Sequence, residues 1–372
     1  MSVIARPIPL LSAEEIALRA GTRAVSLRLP DPEQLFAERE IRLRQRAAGH
    51  PMRDFLLFAA GLAGAQQALL QAYPPVAVPD PAALDAGLAS GEPVLAATRW
   101  PRDPQWLAGL AALLEAIAPQ LAAGPARDAA SALRLLTDRR PEHVERLAGR
   151  VLGRADVGDE LAFVPFVAAA LQVYWTGLVL ATAHAHAAAR PEPFGWVAET
   201  GRCPCCASLP VASIARIDPG VGGLRYLCCS LCSTQWHMVR VKCARCQSTK
   251  GIRYRALAPA DPATDSPNGE GAGVSAQAGT SAQAGTAART AARTDAPVRR
   301  HAAVEAETCD QCGSYLKIVR MEHDPEVEPH ADDLASVTLD LLVSEAGYVR
   351  YGANPLLTFG EPRPAVQRPP FG

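Results

Sequence analysis

Three chemistries leave no trace in this sequence. There is no GxGxxG dinucleotide fingerprint, no phosphate-binding P-loop and no GxSxG nucleophile elbow, which removes the usual signatures of nucleotide-dependent and serine-hydrolase enzymes. Neither sign of charge dominates: 37 Lys and Arg face 38 Asp and Glu, for a net −1. No overall field therefore selects nucleic acid or an anionic membrane. The opening Met-Ser-Val-Ile-Ala-Arg-Pro-Ile-Pro has no basic region followed by a long apolar run, so no secretory leader is expected. Asp, Glu, Lys and Arg are missing between Glu160 and Arg190, a stretch long enough to cross a bilayer. Pro165, Gln172, Thr176, Thr182, His184 and His186 interrupt it, and much of the rest is alanine. Those polar groups would lack partners in lipid, so the stretch reads as a buried core helix.

What the sequence has is paired cysteine. Eight of ten cysteines form four Cys-x-x-Cys pairs: Cys203/Cys206, Cys229/Cys232, Cys243/Cys246 and Cys309/Cys312. One pair alone is compatible with thioredoxin-like redox chemistry, because the spacing lowers a thiol pKa. Four pairs in a long chain with no leader point instead to metal, two thiolates per turn and four per tetrahedral site. Pairs one and two enclose 22 residues, and pairs three and four enclose 62. Sequential pairing then gives two ribbons side by side, each closed by its own hairpin; the alternative, pair one with three and two with four, needs longer-range closure. Gly313 follows Cys312, as in a rubredoxin-type knuckle, whereas Ala207, Ser233 and Gln247 follow the other pairs. Cys205 and Cys228 are left over and read as small buried thiols, with an alternate ligand as the other possibility.

At 372 residues, 49% hydrophobic and 20% charged, the chain is globular and long enough for two or three domains. Residues 1–195 read as an all-α helical domain. Ser12 with Glu15 makes a capping box, and Asp31-Pro32, Asp80-Pro81 and Asp103-Pro104 each place a cap before a first-turn proline. Phe55, Ala59, Leu62, Gln66 and Leu69 share one helix face, as do Leu107, Leu110, Leu114 and Ile117. His184 and His186 lie on different faces of their helix and read as ordinary polar positions.

From Gly195-Trp196 onward short strand-like runs separate the cysteine pairs: 211–217 and 224–228 around the turn 219–223, then 234–241, 252–255 and 302–306. The expected division is a first metal module over 196–242 and a second over 243–325. Residues 275–294 are short repeats of small residues, so about 258–301 reads as a disordered insertion. A C-terminal helix and tail fill 326–372, with Leu334, Val337, Leu341 and Leu342 as its apolar face, Asp332 and Asp333 in its first turn and Gly347 at its end. The fold class is α+β and multidomain: helices first, then two small β-rich rubredoxin-like (zinc-ribbon) modules.

Four thiolates close a coordination sphere, which leaves no open position for metal hydrolysis. Iron and zinc both suit such a site. Between 201 and 258, Arg202, Arg216, Arg225, Arg240, Lys242, Arg245, Lys250, Arg253 and Arg255 face only Asp218. That basic surface suits an acidic partner or nucleic acid, although Tyr226, Trp236 and Tyr254 are the region's only aromatic residues and a thin stacking platform. His237, beside the knuckles, reads as a strand histidine with a structural hydrogen bond.

Several strings resemble the formate dehydrogenase accessory protein family. They include Cys203-Pro204-Cys205-Cys206-Ala207-Ser208-Leu209-Pro210, Gly223-Leu224-Arg225-Tyr226-Leu227, Trp236-His237-Met238-Val239-Arg240-Val241-Lys242-Cys243 and Cys309-Asp310-Gln311-Cys312-Gly313-Ser314-Tyr315. Ala170-Leu171-Gln172-Val173-Tyr174-Trp175, Asp332-Asp333-Leu334-Ala335-Ser336 and Gly347-Tyr348 are similar as well. The departures are Ala207 where the family tends to have Gly, Cys228 where His is common, and the insertion. The resemblance implies a cytoplasmic, non-catalytic maturation factor or chaperone with two rubredoxin-like metal modules. Its implied partner is the catalytic subunit of respiratory formate dehydrogenase. A zinc-ribbon nucleic-acid-binding protein and a rubredoxin-like electron carrier are the alternative readings.

Overall fold

The computed structural model describes residues 25–190, 192–195, 201–218, 221–257 and 302–357. The capping box at Ser12, the module boundary at Trp196, positions 219–220 of the expected turn and the insertion at 258–301 lie outside the described residues.

Among the described residues the first half contains seven α-helices: α1 (Leu35–Ala47), α2 (Arg53–Gln71), α3 (Pro81–Ser90), α4 (Gln105–Ile117), α5 (Pro125–Arg139), α6 (Pro141–Gly153) and α7 (Val164–His186). Asp80 caps α3 as expected, its carboxylate accepting from Ala83 N–H at 2.8 Å with Pro81 in the first turn. Asp31 and Asp103 act slightly earlier. Each accepts from the backbone two residues on, Glu33 N–H and Gln105 N–H, in the turn that precedes its helix. Phe55, Leu69 and Leu107 are half-buried, while Ala59, Leu62, Gln66, Leu110, Leu114 and Ile117 are fully inside.

α7 is the axis of this half. It is long and apolar enough to cross a membrane by composition, yet most of it is buried by its neighbours. Three of its polar groups are bonded within the protein, Thr182 Oγ to Leu178 O, Trp175 Nε1 to Leu95 O, and Gln172 in a ladder from Gln66 Nε2 at 2.9 Å, while the buried Thr176 hydroxyl has no partner among the described residues. His186 Nε2 lies 2.9 Å from Pro79 O and His184 is exposed, so neither histidine belongs to a ligand set.

The strands are β1 (Leu27–Arg28), β2 (Pro210–Asp218), β3 (Val221–Cys229), β4 (Gln235–His237), β5 (Ile252–Arg255), β6 (Val304–Cys309), β7 (Ser314–Arg320) and β8 (Val349–Arg350). β2–β3 and β5–β6 are the two expected antiparallel hairpins. They are not separate ribbons, however. β2 pairs in parallel with β7 through Ser213–Ile318, Ile214–Val319 and Ala215–Arg320, which joins both into one sheet of order β1-β4-β3-β2-β7-β6-β5, with β8 on β7. The run 234–241 yields only the three residues of β4. Arg225 explains its early end, donating to the carbonyls of Val239 and Lys242 and pulling the chain off the ladder.

The C-terminal helix is two short ones, α8 (Pro329–Leu334) and α9 (Val337–Glu345). Between them the buried Lys317 ammonium donates to the carbonyls of Asp333 and Ser336 at 2.7 and 3.2 Å, which would otherwise continue one helix. The expected apolar face holds for Leu334 and Val337 but not for Leu341 and Leu342, which are about half exposed at 55% and 49%. Asp332 does stand in the first turn of α8, its carboxylate accepting from Glu328 N–H at 2.9 Å, but both aspartates also have partners outside the helix. Asp332 is buried between Arg42, at 2.8 Å, and Arg46; Asp333 is buried between Lys317, at 3.1 Å, and Arg350. Glu328, beside them, accepts from Arg39. Burial alone would raise its carboxyl, but Arg39 and His330 hold it down at about 2. Three arginines of α1 are thus bonded to the C-terminal segment, which ties the two ends of the described chain together.

Candidate metal centres

Each cysteine pair sits in the same local turn. The N–H of the first cysteine donates to the carbonyl five residues on: Cys203 to Ser208, Cys229 to Thr234 and Cys243 to Ser248, all between 2.8 and 2.9 Å. Cys309 pairs with Ser314 in the ladder. The residue after each second cysteine is left-handed, with φ of 62° at Ala207, 57° at Ser233, 64° at Gln247 and 63° at Gly313. Ala, Ser and Gln in place of glycine weaken the case for this turn at the first three knuckles. In fact all four do, three of them against the steric preference of L-residues, about 1 kcal/mol or more each. Nothing lies within 4 Å of a Cβ built on Gly313, so Gly313→Ala isolates the backbone effect. It should lower stability by about 1 kcal/mol, and Ala207→Gly should raise it by up to that amount, both measurable by thermal melting of metal-loaded protein.

The knuckles combine sequentially. Cys203, Cys206, Cys229 and Cys232 form one group and Cys243, Cys246, Cys309 and Cys312 the other, with the four sulfurs of each within 4.8 Å of one another. Cross-pairing of knuckles one with three and two with four is therefore excluded. Set against an ideal tetrahedron, whose edge is about 3.8 Å for metal–sulfur bonds of about 2.3 Å, the separations fit: Cys203–Cys232 3.5 Å, Cys206–Cys229 3.4 Å, Cys243–Cys312 3.7 Å and Cys246–Cys309 3.7 Å. None of the ten cysteines is in a disulfide. Either group can hold one thiophilic ion, and the donor set alone does not separate iron from zinc.

The two groups differ in surroundings. All four sulfurs of the first are fully buried, in the same apolar core as Leu171, Tyr174 and Trp175 of α7. The helices also bond to its knuckles, Ala97 N–H to Cys206 O at 2.9 Å and Gln172 Nε2 to Ser230 O at 2.8 Å. Burial pushes the Cys203 and Cys229 thiols far above their usual range, whereas at Cys232 burial is outweighed by hydrogen bonds from the neighbouring cysteines and the net shift is downward. In the second group Cys243 and Cys309 are buried, Cys312 is half-buried and Cys246 is exposed. Burial pushes Cys243 up to about 12. At Cys312 burial acts in the same upward sense, but the Ser314 hydroxyl, 2.9 Å from the sulfur, turns the net shift downward.

Hydroxyls beside the sulfurs are the feature that a reading of cysteine spacing misses. Ser208, Thr234, Ser248 and Ser314 each stand two residues after a knuckle's second cysteine. Two of these hydroxyls contact sulfur, Thr234 at 3.3 Å from Cys232 Sγ and Ser314 at 2.9 Å from Cys312 Sγ, and Leu231, Cys232 and Arg245 N–H groups also donate to sulfur at 3.4 Å. Such contacts tune a thiolate centre. The four-fold repeat of Cys-x-x-Cys-x-Ser/Thr was the signal for them.

Strand alternation places one of the remaining cysteines, and the first knuckle's own turn places the other. Cys228 points away from Cys229, against Val211 and Ala212, and so is a buried thiol outside either group. Cys205 is fully buried beside Cys203 and Cys232 without being one of the four. His237 is buried edge-on to Tyr226, ring centroids 5.7 Å apart, with its backbone N–H bonded to Ser26 O. Of the nine cations, Arg225 is fully buried in an ion pair with Glu307 at 2.8 Å; it holds the hairpins together and is no part of a surface.

Comparison with known proteins matches this architecture in order. The chain fits the FdhE N-terminal family model over residues 24–191, the FdhE central domain over 202–240 and the FdhE C-terminal domain over 286–357. It is 34% identical over 379 aligned residues to a protein FdhE homolog of Edwardsiella ictaluri, covering 97% of this chain and all of that one. Protein FdhE of Escherichia coli is 33% identical over 341 residues, covering 90% and 92%. The crystal structure of the FdhE protein from Pseudomonas aeruginosa superposes with a TM-score of 0.68 at 33% identity, over 91% of this chain and 100% of that one. With three successive parts matched and one relative aligned over nearly its whole length, the chain belongs to the FdhE family, the family its knuckle sequences resemble.

Proposed function

We propose that this protein is a non-catalytic accessory factor for respiratory formate dehydrogenase, which binds the catalytic subunit in the cytoplasm during maturation. Family membership carries the reading, and the two four-cysteine groups support it. In this reading the eight cysteines named above ligate two metal ions, and the chain divides into 1–195, 196–242, 243–325 and 326–372. Zinc would supply cross-linking of the knuckles alone, whereas iron would also make one-electron chemistry available. The chain's own part is to close both spheres with sulfur, exclude water from the first through the α7 core, and present the second at the surface.

A host lacking this protein should accumulate inactive formate dehydrogenase, and the wild-type gene should restore activity. Undiminished activity in the deletion host would overturn the proposal. Protein loaded only with zinc that rescues as well as iron-loaded protein would assign the metals a structural role.

A further inference from the structure

The segment 240–257 holds six cations, Arg240, Lys242, Arg245, Lys250, Arg253 and Arg255, and no Asp or Glu. All are exposed except the half-buried Lys242. Among the described residues their one ion pair is Arg253 with Asp310, at 2.9 Å. A divalent ion on four thiolates at the second group subtracts two charges and still leaves a local excess. The same segment contains β5, which ends the sheet among the described residues, where its backbone pairs with β6 alone. Val241, Tyr254 and Leu257 add apolar surface there, each 42% exposed.

An edge strand presents unpaired N–H and C=O groups, and an extended polypeptide can satisfy them by adding as a further strand. A nucleic acid has no matching backbone. It would instead need open aromatic faces, and the two rings at this surface are already covered: Arg320 lies 4.9 Å over Tyr254 and Arg255 lies 5.1 Å over Tyr348. We infer that this face binds an extended acidic polypeptide, which lies beside β5 with its carboxylates against Arg240, Arg245, Lys250, Arg253 and Arg255. The identity of that polypeptide as part of a maturation client rests on the function proposed above; the binding itself does not.

The test uses full-length metal-loaded protein and a fluorescein-labelled peptide of about ten residues alternating Glu and Val, which favours an extended strand. The peptide should bind, weaken steeply with added salt, and slow hydrogen exchange at the amides of 252–255 but not at β1, the opposite edge. The triple change Arg240→Glu, Arg245→Glu, Lys250→Glu alters exposed side chains only, and retention of two metals per chain confirms its fold. It should weaken binding about tenfold or more. No measurable binding by wild-type protein, equal binding by the triple variant, or equal binding of a peptide alternating Glu and Pro would each overturn the inference. So would tighter binding of oligothymidylate than of the Glu-Val peptide, which would make this a nucleic-acid face. A deletion host with full formate dehydrogenase activity would remove the maturation role and leave the peptide result standing.

Discussion

Cys229→Ser should drive the protein into the insoluble fraction, whereas Cys246→Ser should give soluble, folded protein with one metal per chain in place of two. The chemistry is the same in both cases, and the surroundings decide the outcome. Cys229 is fully buried in the core that the first sulfur group shares with α7. Losing its ion forfeits roughly 10 kcal/mol or more of coupled binding energy, comparable to the whole stability of an ordinary domain at about 5–15 kcal/mol. It also leaves buried thiols around a void against Tyr174 and Trp175. Cys246 is exposed at the sheet's outer end, and the β6–β7 ladder persists without it. Metal analysis of the soluble fraction, with far-UV circular dichroism, checks both halves. Equal solubility of the two variants would mean that the first site is not integral to the helical core.

The second large effect lies away from sulfur. Lys317→Met should destabilise the protein by about 3–5 kcal/mol, read as a fall in the urea midpoint of metal-loaded protein. Its ammonium is fully buried, 3.1 Å from Asp333 and 2.6 Å from Asp340, and bonded to the carbonyls between α8 and α9. Arg350 reaches the same two carboxylates, so two cations balance two anions. Removing Lys317 leaves one carboxylate buried without compensation. The double change Lys317→Met with Asp340→Asn should recover part of the loss, because it restores charge balance. If the double variant is no more stable than the single one, the cost comes from the lost carbonyl contacts instead.

The sequence made the two four-cysteine groups legible because each Cys-x-x-Cys turn is local and sequential pairing closes the shorter loops. The α7 core helix was readable for the same reason, its polar groups too many for lipid. What stayed hidden depends on residues far apart. The parallel pairing of β2 with β7 joins Ser213 to Ile318, and no hairpin rule anticipates it. Asp332 is a helix-start residue, as local spacing places it, but nothing local shows that Arg42 also pairs with it or that Lys317 pairs with Asp333. Arg225 counted as surface charge until Glu307 proved to lie against it. The left-handed turns at Ala207, Ser233 and Gln247 were obscured by residue type, since tertiary bonding overrides the preference that makes glycine the expected occupant.

Arg42 and Asp332, bonded at 2.8 Å, stand 290 positions apart. On the ribosome α1 emerges long before its carboxylate partner exists. At about 5–20 residues per second, synthesis separates the two by roughly 15–60 s. During that interval the arginines of α1 face water, and the sheet lacks the strand that joins its two hairpins. The helical half must therefore persist as a partly open intermediate until the last sixth of the chain arrives, and a nascent chain stalled before α8 should be the form most exposed to proteolysis.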